Sequence, residues 1–278
     1  MIRIVTDSST MYTKQDGEKI GIDVLPLCIN IAEVEGRDLE MDMKDLYNRI
    51  DNGQIPKSSQ PPVGEVLDVF EKYPDDEIID ITMADGLSGT YQSACGVKSM
   101  AENEDKITIF NSKTLCGPQR YMVTKAKELV DNGATKKEVL DYLEYASNNT
   151  QSFLIPQDFD FLKRGGRLTP TAARFASVLK IKPVLILTDS GKEIDKFVLK
   201  KTLKHAFAAV IHYMELIKHI DENYIIYISH AGAPADAENA KLQFKMAFPN
   251  TEIVVSELSP AFVTHGGPRC VAIQYIKK

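Results

Sequence analysis

Three times in the first half of the chain, a short apolar run is followed by a turn rich in hydroxyl side chains and then by a helical pattern. The runs cover residues 2–5, 78–83 and 107–110, and the polar turns cover residues 6–10, 84–90 and 111–113. Strands that alternate with helices are typical of a mostly parallel sheet covered on both faces. In such sheets a ligand binds where the carboxyl ends of strands meet helix starts. The sequence therefore predicts an α/β fold with its binding site in the turns that contain Ser8, Ser88 and Ser112.

The turn around Ser88 is the most informative of the three. It reads Gly86-Leu87-Ser88-Gly89-Thr90 and separates a strand pattern from a helix that runs to about Met100. One interpretation is that Ser88 only caps this helix by accepting a hydrogen bond from an amide of the first turn. The other is that Ser88, Thr90 and the amides hold the carboxylate of a ligand, because a helix start attracts anions.

The same turn comes close to the Gly-x-Ser-x-Gly nucleophile elbow of α/β hydrolases. In that interpretation Ser88 would attack an ester, with His230 or His265 as its base. Thr90, however, occupies the position of the last glycine of the elbow, where the strained turn needs a small residue. A serine esterase that uses Ser88 is therefore the alternative function and not the first one.

The second half of the chain has a different pattern. Residues 1–150 are predicted to form an N-terminal α/β domain, and residues 151–278 a smaller α+β domain with a hairpin at 183–198 and a long helix after it. On that helix the sequence predicts a core-facing stripe that ends at Ile217. A helix predicted over 62–73 belongs to the first domain by position, but its apolar face could also pack with the second.

Composition excludes several classes of partner. The net charge of −6 argues against nucleic acid and anionic membranes, which attract basic proteins. No stretch approaches the roughly 20 apolar residues that span a bilayer, and the N-terminus enters a strand pattern without a signal peptide. We therefore expect a cytoplasmic protein without stable membrane insertion.

Cysteine and histidine spacing argues against a metal site. The four cysteines form no Cys-x-x-Cys pair, so they are expected to be reduced thiols. His205, His212 and His219 recur every seven residues, and two helical turns place neighbouring side chains ~10 Å apart, which is too far for one ion.

Seven short motifs follow one another over essentially the whole chain. They are Val5-Thr6-Asp7-Ser8, Ser58-Ser59-Gln60-Pro61, Gly86-Leu87-Ser88-Gly89-Thr90-Tyr91-Gln92-Ser93-Ala94, Phe161-Leu162-Lys163-Arg164-Gly165-Gly166-Arg167, Ile181-Lys182-Pro183-Val184-Leu185, His230-Ala231-Gly232-Ala233 and Thr264-His265-Gly266-Gly267-Pro268. Each motif alone is weak, but together and in this order they are specific. The chain resembles the DegV family, fatty-acid-binding proteins that serve as carrier subunits of bacterial fatty acid kinase.

The resemblance implies a two-domain DegV-like fold with a long-chain fatty acid in a tunnel between the domains. The hydroxyls of Ser58 and Ser88 would hold its carboxylate, and Ser59 and Thr90 are further candidate ligand-binding residues. Burial of the acyl chain at ~0.8 kcal/mol per CH₂ would supply the affinity. A separate ATP-using kinase subunit would convert the carboxylate into an acyl phosphate, so the chain itself would be a carrier, with no catalytic residue, metal or cofactor.

The resemblance also implies a second set of site residues. Arg167 and His265 match the basic residues that the family uses at the phosphoryl transfer. Ser58 replaces the usual Thr, Lys201 lies near the position where many members have an Arg, and Arg269 stands where a Gly is usual. Because Lys lacks the bidentate fork of Arg, Lys201 argues against docking of the kinase. Arg269 is predicted to alter the choice of ligand or partner. A lipid-binding paralogue with a different partner therefore remains an alternative.

Overall fold

The computed structural model describes residues 1–174 and 181–278, and the chain divides into two compact units. The first unit comprises Met1–Asn148 together with Ser259–Ala261, and the second comprises Asn149–Leu258 together with Phe262–Lys278. Within the described part, no helix is both long enough and apolar enough to cross a membrane. All four cysteines are free thiols.

The first unit alternates strands and helices. Its strands are β1 (Ile2–Asp7), β2 (Asp23–Leu25), β3 (Cys28–Ile31), β4 (Val34–Arg37), β5 (Pro56–Ser59), β6 (Glu77–Thr82) and β7 (Ile107–Asn111). Its helices are α1 (Lys14–Ile20), α2 (Met43–Asp51), α3 (Val63–Glu71), α4 (Thr90–Lys98), α5 (Cys116–Asp131) and α6 (Lys136–Ser147). Short 3₁₀ turns cover Ser8–Thr10 and Glu104–Lys106.

A parallel sheet in the order β2-β1-β6-β7 forms the centre of the first unit. Its strands are rich in buried aliphatic residues such as Ile4 and Ile79, which is typical of a parallel sheet covered on both faces. Helix α3 buries Val66 and Phe70 in the same apolar cluster as Ile78, so its apolar face packs within this unit. The predicted α/β class is confirmed, and parallel pairing places the carboxyl ends of the strands at one edge.

The sequence-based prediction failed between residues 24 and 59. The apolar run at residues 24–31 predicts a single strand, but the chain turns away from the parallel sheet at Pro26, so two strands form there. The second of these, β3, pairs antiparallel with β4 and β5 in a separate sheet of order β4-β3-β5. The hydroxyls and prolines of residues 57–62 predict a turn before a helix, but the first half of this segment is strand, since β5 includes both Ser58 and Ser59.

The second unit contains a mixed sheet with helices. Its strands are β8 (Thr150–Ile155), β9 (Lys182–Leu187), β10 (Ile194–Lys200), β11 (Tyr224–His230), β12 (Glu252–Glu257) and β13 (Val271–Lys277). Its helices are α7 (Phe159–Gly165), α8 (Pro170–Ala173), α9 (Leu203–Leu216), α10 (Pro234–Ala247) and α11 (Pro260–Gly266), the last of which begins in residues grouped with the first unit.

The sheet of the second unit has the order β10-β9-β8-β13-β11-β12, and its described pairs are antiparallel except for β11 with β12. The predicted hairpin is confirmed as β9 and β10. Helix α9 buries Phe207, Val210 and Met214 in the apolar cluster of this unit, as the stripe predicted. Ile217 was wrongly included in that stripe, because the helix ends at Leu216 and Ile217 is 62% exposed.

Candidate functional site

The turn after β6 presents two hydroxyls at the start of α4. Ser88 Oγ lies 2.8 Å from Thr90 Oγ1 and accepts a hydrogen bond from Thr90 N at 3.3 Å. Gly89 is the residue that precedes the helix, and it has no side chain with which to cap the first turn. Within residues 1–174 and 181–278, the N–H groups of Tyr91 and Gln92 donate to no acceptor. The capping interpretation of Ser88 therefore accounts for one amide and leaves the next two available.

Electrostatics make this helix start suitable for an anion. The unsatisfied N–H groups of a first turn carry the positive end of the helix dipole. A carboxylate accepts hydrogen bonds from such amides and from hydroxyls at the same time, and these charge-assisted bonds are stronger than neutral ones. Ser88 is half-buried and Thr90 is 5% exposed, so both hydroxyls act partly shielded from water.

Gln60 brings the end of β5 next to the start of α4. Its Oε1 lies 2.9 Å from the position that a Cβ would occupy on Gly89, so the contact depends on the absence of a side chain there. Ser58, two residues earlier, is half-buried and pairs with Ile29 of β3. Ser59 is exposed on the opposite face of β5, because side chains alternate along a strand. Two of the predicted hydroxyl segments therefore meet within the first unit.

The other two polar turns at the carboxyl edge use their hydroxyls internally. Ser8 Oγ donates to Asp38 Oδ2 at 2.8 Å and accepts from Leu27 N at 3.1 Å. Ser112 Oγ donates to the carbonyl oxygen of Thr114 at 3.2 Å. The Ser8 hydroxyl is therefore bound to a distant carboxyl, whereas the described hydrogen bonds of the Ser88 and Ser112 hydroxyls stay within two residues of each serine.

Asp38 is a buried carboxyl that the sequence analysis missed. Besides the bond from Ser8, it accepts hydrogen bonds from Ser259 Oγ at 3.1 Å and from Ala261 N at 3.0 Å. Burial raises the pKa of Asp38, and these hydrogen bonds act in the opposite direction. The residue holds Ser259–Ala261 in the first unit. Ser259 and Ala261 are more than 200 positions from Asp38 in sequence, so no local pattern could have indicated these two partners.

In the second unit, Arg167 and His265 lie close to each other around Gly165. Arg167 Nη1 donates to the carbonyl oxygen of Gly165, and His265 Nδ1 is 3.1 Å from where a Cβ on Gly165 would lie. Burial and the positive charge of Arg167 lower the pKa of His265 to about 4, and burial also lowers the pKa of Arg167. At neutral pH the pair therefore combines an uncharged imidazole with a guanidinium cation, which suits an anionic group.

Lys201 and Arg269 are both exposed residues of the second unit. Lys201 precedes Thr202, the cap residue of α9, and Arg269 has a left-handed backbone with φ 63°. The N–H of Arg269 donates to the carbonyl oxygen of Ala231 at 2.7 Å. Neither side chain forms an ion pair with another described residue. Both cations are therefore open to solvent.

The local contacts do not favour the esterase interpretation. A serine nucleophile needs a base within hydrogen-bond reach, and within the first unit the hydroxyl of Ser88 bonds to Thr90, which is not a base. His230 uses Nδ1 to accept a hydrogen bond from Ala233 N at 3.3 Å. Among the described residues, no three His, Cys, Asp or Glu side chains converge in a geometry that could hold a metal ion.

Fold and local geometry together describe a two-unit α/β protein in which two hydroxyls stand at a helix start on the carboxyl edge of a parallel sheet. The family model described as "Uncharacterised protein, DegV family" matches residues 1–278. The chain therefore belongs to the DegV family, as its motifs predicted.

Individual relatives cover nearly the whole chain. Protein DegV from Bacillus subtilis is 29% identical over 277 residues, which cover 98% of each chain. The crystal structure of DegV from Bacillus subtilis, described as a fatty acid binding protein, aligns over 100% of this chain and 99% of its own, with a TM-score of 0.87 and 27% identity. A Thermus thermophilus DegV family protein, whose structure is described by its fatty acid binding, has a TM-score of 0.90 at 23% identity with the same coverage, which shows a shared fold.

Proposed function

We propose that the protein binds a long-chain fatty acid and holds its carboxylate with hydroxyl groups of Ser58, Ser88 and Thr90. The observation that carries this proposal is the pair of hydroxyls at the start of α4, next to the unsatisfied amides of Tyr91 and Gln92. Hydroxyls and amides without a fixed cation suit a single carboxylate better than a doubly charged phosphate. Ser59, on the other face of β5, would act only at the rim of the site.

The nature of the ligand rests on likeness as well as chemistry. The Bacillus subtilis relative is described as a fatty acid binding protein and is similar over the full length of this chain. An acyl tail gains ~0.8 kcal/mol for each buried CH₂, so the head group needs only to be positioned. We place this carrier in the bacterial cytoplasm, where free thiols persist.

The second part of the proposal concerns a partner. A separate kinase subunit phosphorylates the bound carboxylate with ATP, and the carrier presents the carboxylate without itself being an enzyme. Arg167 would offset the negative charge that the acyl phosphate develops, and neutral His265 would donate or accept one hydrogen bond. Lys201 and Arg269, both exposed, would contribute to partner or ligand choice.

The ligand-binding step can be tested with two serines of the same helix region. Organic extracts of purified wild type, Ser88→Ala and Ser99→Ala would be analysed by mass spectrometry, and fatty acid affinity would be measured by titration. Ser99 follows the other end of α4, where its Oγ donates to the carbonyl oxygen of Cys95, so it serves as the matched control. We expect about tenfold weaker binding for Ser88→Ala and unchanged binding for Ser99→Ala.

Three outcomes would count against binding by these hydroxyls. A protein that yields no fatty acid and takes up none has no fatty acid site. Equal affinity of Ser88→Ala and wild type would remove Ser88 from the site. Ester hydrolysis that depends on Ser88 while acyl binding persists would instead establish the esterase.

The kinase step needs its own measurement. Acyl phosphate formation would be followed with ATP and a fatty acid kinase subunit, and with each component omitted in turn. We expect product only when the carrier, the kinase and ATP are all present, and strongly reduced turnover for Arg167→Gln at unchanged fatty acid affinity. Fatty acid binding without phosphorylation would assign the chain to the paralogue alternative. The variant Lys201→Arg would then test whether the missing bidentate guanidinium at position 201 is the reason for the lost phosphorylation.

A further inference from the structure

Strand β6 carries a buried carboxyl group that the proposed site does not use. Asp80 is 2% exposed, its Oδ1 receives no hydrogen bond from a described residue, and none of the ion pairs in the described part of the chain involves it. In the sheet it lies between Val5 of β1 and Ile109 of β7. An ionised carboxylate without a donor or a cation is costly in such surroundings, so the protonated form is favoured.

A second buried carboxyl, Asp7, lies on the same face of the sheet as Asp80. Val5 is opposite Asp80, and Asp7 is two residues further along β1, so the two side chains share a face. Burial raises the pKa of both groups, but Asp7 accepts hydrogen bonds from Ser9 N and Met83 N, each at 2.9 Å, which lower its pKa. The charge of Asp7 raises the pKa of Asp80 further, to about 8. Asp7 therefore carries the charge of the pair, and Asp80 holds a proton at neutral pH.

The other groups around Asp80 do not compensate a charge on it. Arg3 and Asp23 lie on the same face of β1 and β2, but each is engaged in an ion pair of its own. Asn111 on β7 does not titrate. Helices α3 and α4 cover this face with buried apolar side chains, among them Val66, Phe70 and Val97. Within the described residues, the charged group that acts on Asp80 is therefore Asp7.

Asp7 connects this pair to the turn that contains Ser88. Met83, whose N–H donates to Asp7 Oδ2, is the first residue after β6. The carbonyl oxygen of the next residue, Ala84, accepts a hydrogen bond from Ser88 N at 3.3 Å. The charge on Asp7 thus fixes the backbone from which the turn starts, while α4, whose start would bind the carboxylate, covers the face on which Asp80 lies.

We propose that proton binding at Asp80 is coupled to fatty acid binding at the Ser88 turn, so that the site binds a carboxylate more weakly when Asp80 is ionised. This inference rests on the proposed function. An ionised Asp80 would add a third negative charge to those of Asp7 and the bound carboxylate, and like charges repel strongly where the dielectric is low. By linkage, a bound carboxylate makes Asp80 harder to ionise to the same extent.

The binding test compares decanoate with 1-decanol, which has the same chain length and no charge. Affinities of the full-length protein for both probes would be measured by titration at pH 6.5 and at pH 9, where decanoate is ionised throughout. We expect decanoate to bind about fivefold more weakly at pH 9, and 1-decanol to bind equally at both pH values. Equal decanoate affinities, or a parallel loss for 1-decanol, would overturn the inference.

Variants identify the group that titrates. Asp80→Asn has nearly the shape of the protonated carboxyl and cannot ionise, so its decanoate affinity should be independent of pH. Asp80→Leu, which is neutral and apolar, should behave in the same way if the amide is poorly tolerated. Cys95→Ala is the matched control, because it removes a half-buried group of α4 that belongs to a class, the thiols, that also titrates in this range. It should keep the fivefold effect. Loss of the effect in Cys95→Ala, or its persistence in both Asp80 variants, would contradict the assignment to Asp80.

Proton uptake by the wild type gives a test that needs no variant. Calorimetric titration with decanoate at pH 8, in phosphate and in Tris, reports the protons bound with each decanoate, because the two buffers differ in ionisation enthalpy. We expect uptake of about 0.3 proton with decanoate and none with 1-decanol. Decanoate binding without proton uptake would overturn the coupling and leave the proposed function intact, whereas absence of decanoate binding at every pH would overturn both.

Discussion

Gln60 lies against the backbone of Gly89, with its Oε1 2.9 Å from where a Cβ would be attached. This contact joins the end of β5 to the start of α4, and so places the Ser58 segment beside the Ser88 turn. Neither segment predicts the other in sequence, because they belong to different sheets and lie about thirty residues apart. The proposed carboxylate site depends on this approach.

Gly89→Ala tests the contact directly. The new Cβ would displace the far end of a flexible, exposed side chain, and φ at this position is an ordinary −73°, so we expect the free energy of unfolding to fall by no more than about 1 kcal/mol. The loss of fatty acid binding free energy should be larger than this loss of stability, because the Ser58 segment and the Ser88 turn move apart. In a double-mutant cycle with Gln60→Ala, unfolding by urea should show coupling. Strictly additive effects would mean that the contact has no energetic weight.

Gly267→Ala should be strongly destabilising. Gly267 has φ 78°, and a Cβ there would lie 3.0 Å from the ring of the buried Phe161. Gly133 has nearly the same conformation, φ 83°, with nothing within 4 Å, so Gly133→Ala reports the backbone cost alone. We expect Gly267→Ala to lose about 1–2 kcal/mol more than Gly133→Ala in urea unfolding. Equal losses of unfolding free energy in the two variants would show that the Phe161 ring can move aside without destabilising the protein.

His265 should make stability fall in mild acid. Its pKa is about 4 in the folded protein and 6.5 when unperturbed, so the unfolded chain takes up the proton first. The contribution is fully present above pH 6.5 and is lost as the pH falls towards 4, by up to about 1.4 kcal/mol per pH unit. His265→Gln should flatten this part of the profile, whereas His212→Gln, an exposed change on α9, should not. A profile unchanged by His265→Gln would disprove the assignment.

Asp80 should make stability fall as the pH rises. It is 2% exposed on β6, its Oδ1 accepts no hydrogen bond in the described part, and burial together with the nearby charge of Asp7 raises its pKa to about 8. Stability is greatest below the unfolded value of 3.8 and is lost as the pH rises through 8.

The substitution Asp80→Leu tests this prediction, because it replaces the buried carboxyl with an apolar side chain of similar size. At pH 7 we expect it to raise the free energy of unfolding by about 2 kcal/mol or more, with a smaller gain at pH 5. Urea unfolding at both pH values measures the difference. A gain that is independent of pH would point to apolar packing and away from the charge.

Arg269→Gly should stabilise the protein. Arg269 is exposed, forms no ion pair with a described residue and has φ 63°, a left-handed conformation that glycine adopts without strain. The expected gain is about 1 kcal/mol in thermal or urea unfolding, and Arg269→Lys should give none. Comparison of the bound lipids and phosphorylation rates of Arg269→Gly and wild type tests the separate prediction that this residue alters ligand or partner choice.

The sequence predicted those features that depend on neighbouring residues. Apolar runs and hydroxyl-rich turns identified the strands β1, β6 and β7 and the edge at which their turns lie. The same pattern predicted that a helix starts in the turn that contains Ser88 and Thr90, because a helix start follows directly from local spacing, and α4 begins at Thr90. The long helix α9 was predicted because its apolar stripe repeats every three to four residues, but the prediction continued past Leu216 to Ile217 and His219.

Tertiary structure decided what distant segments do together. The sheet β4-β3-β5 was missed because residues 24–31 were predicted as one strand and residues 57–62 as a turn, whereas pairing with β3 makes residues 56–59 a strand. Helix α11 and the buried Asp38 were missed as well, because Ser259 and Ala261 bind a carboxyl more than 200 residues earlier. Periodicity reports which face of an element is apolar. Which element covers that face, and which polar group meets a buried donor, is set by contacts between segments that sequence spacing does not encode.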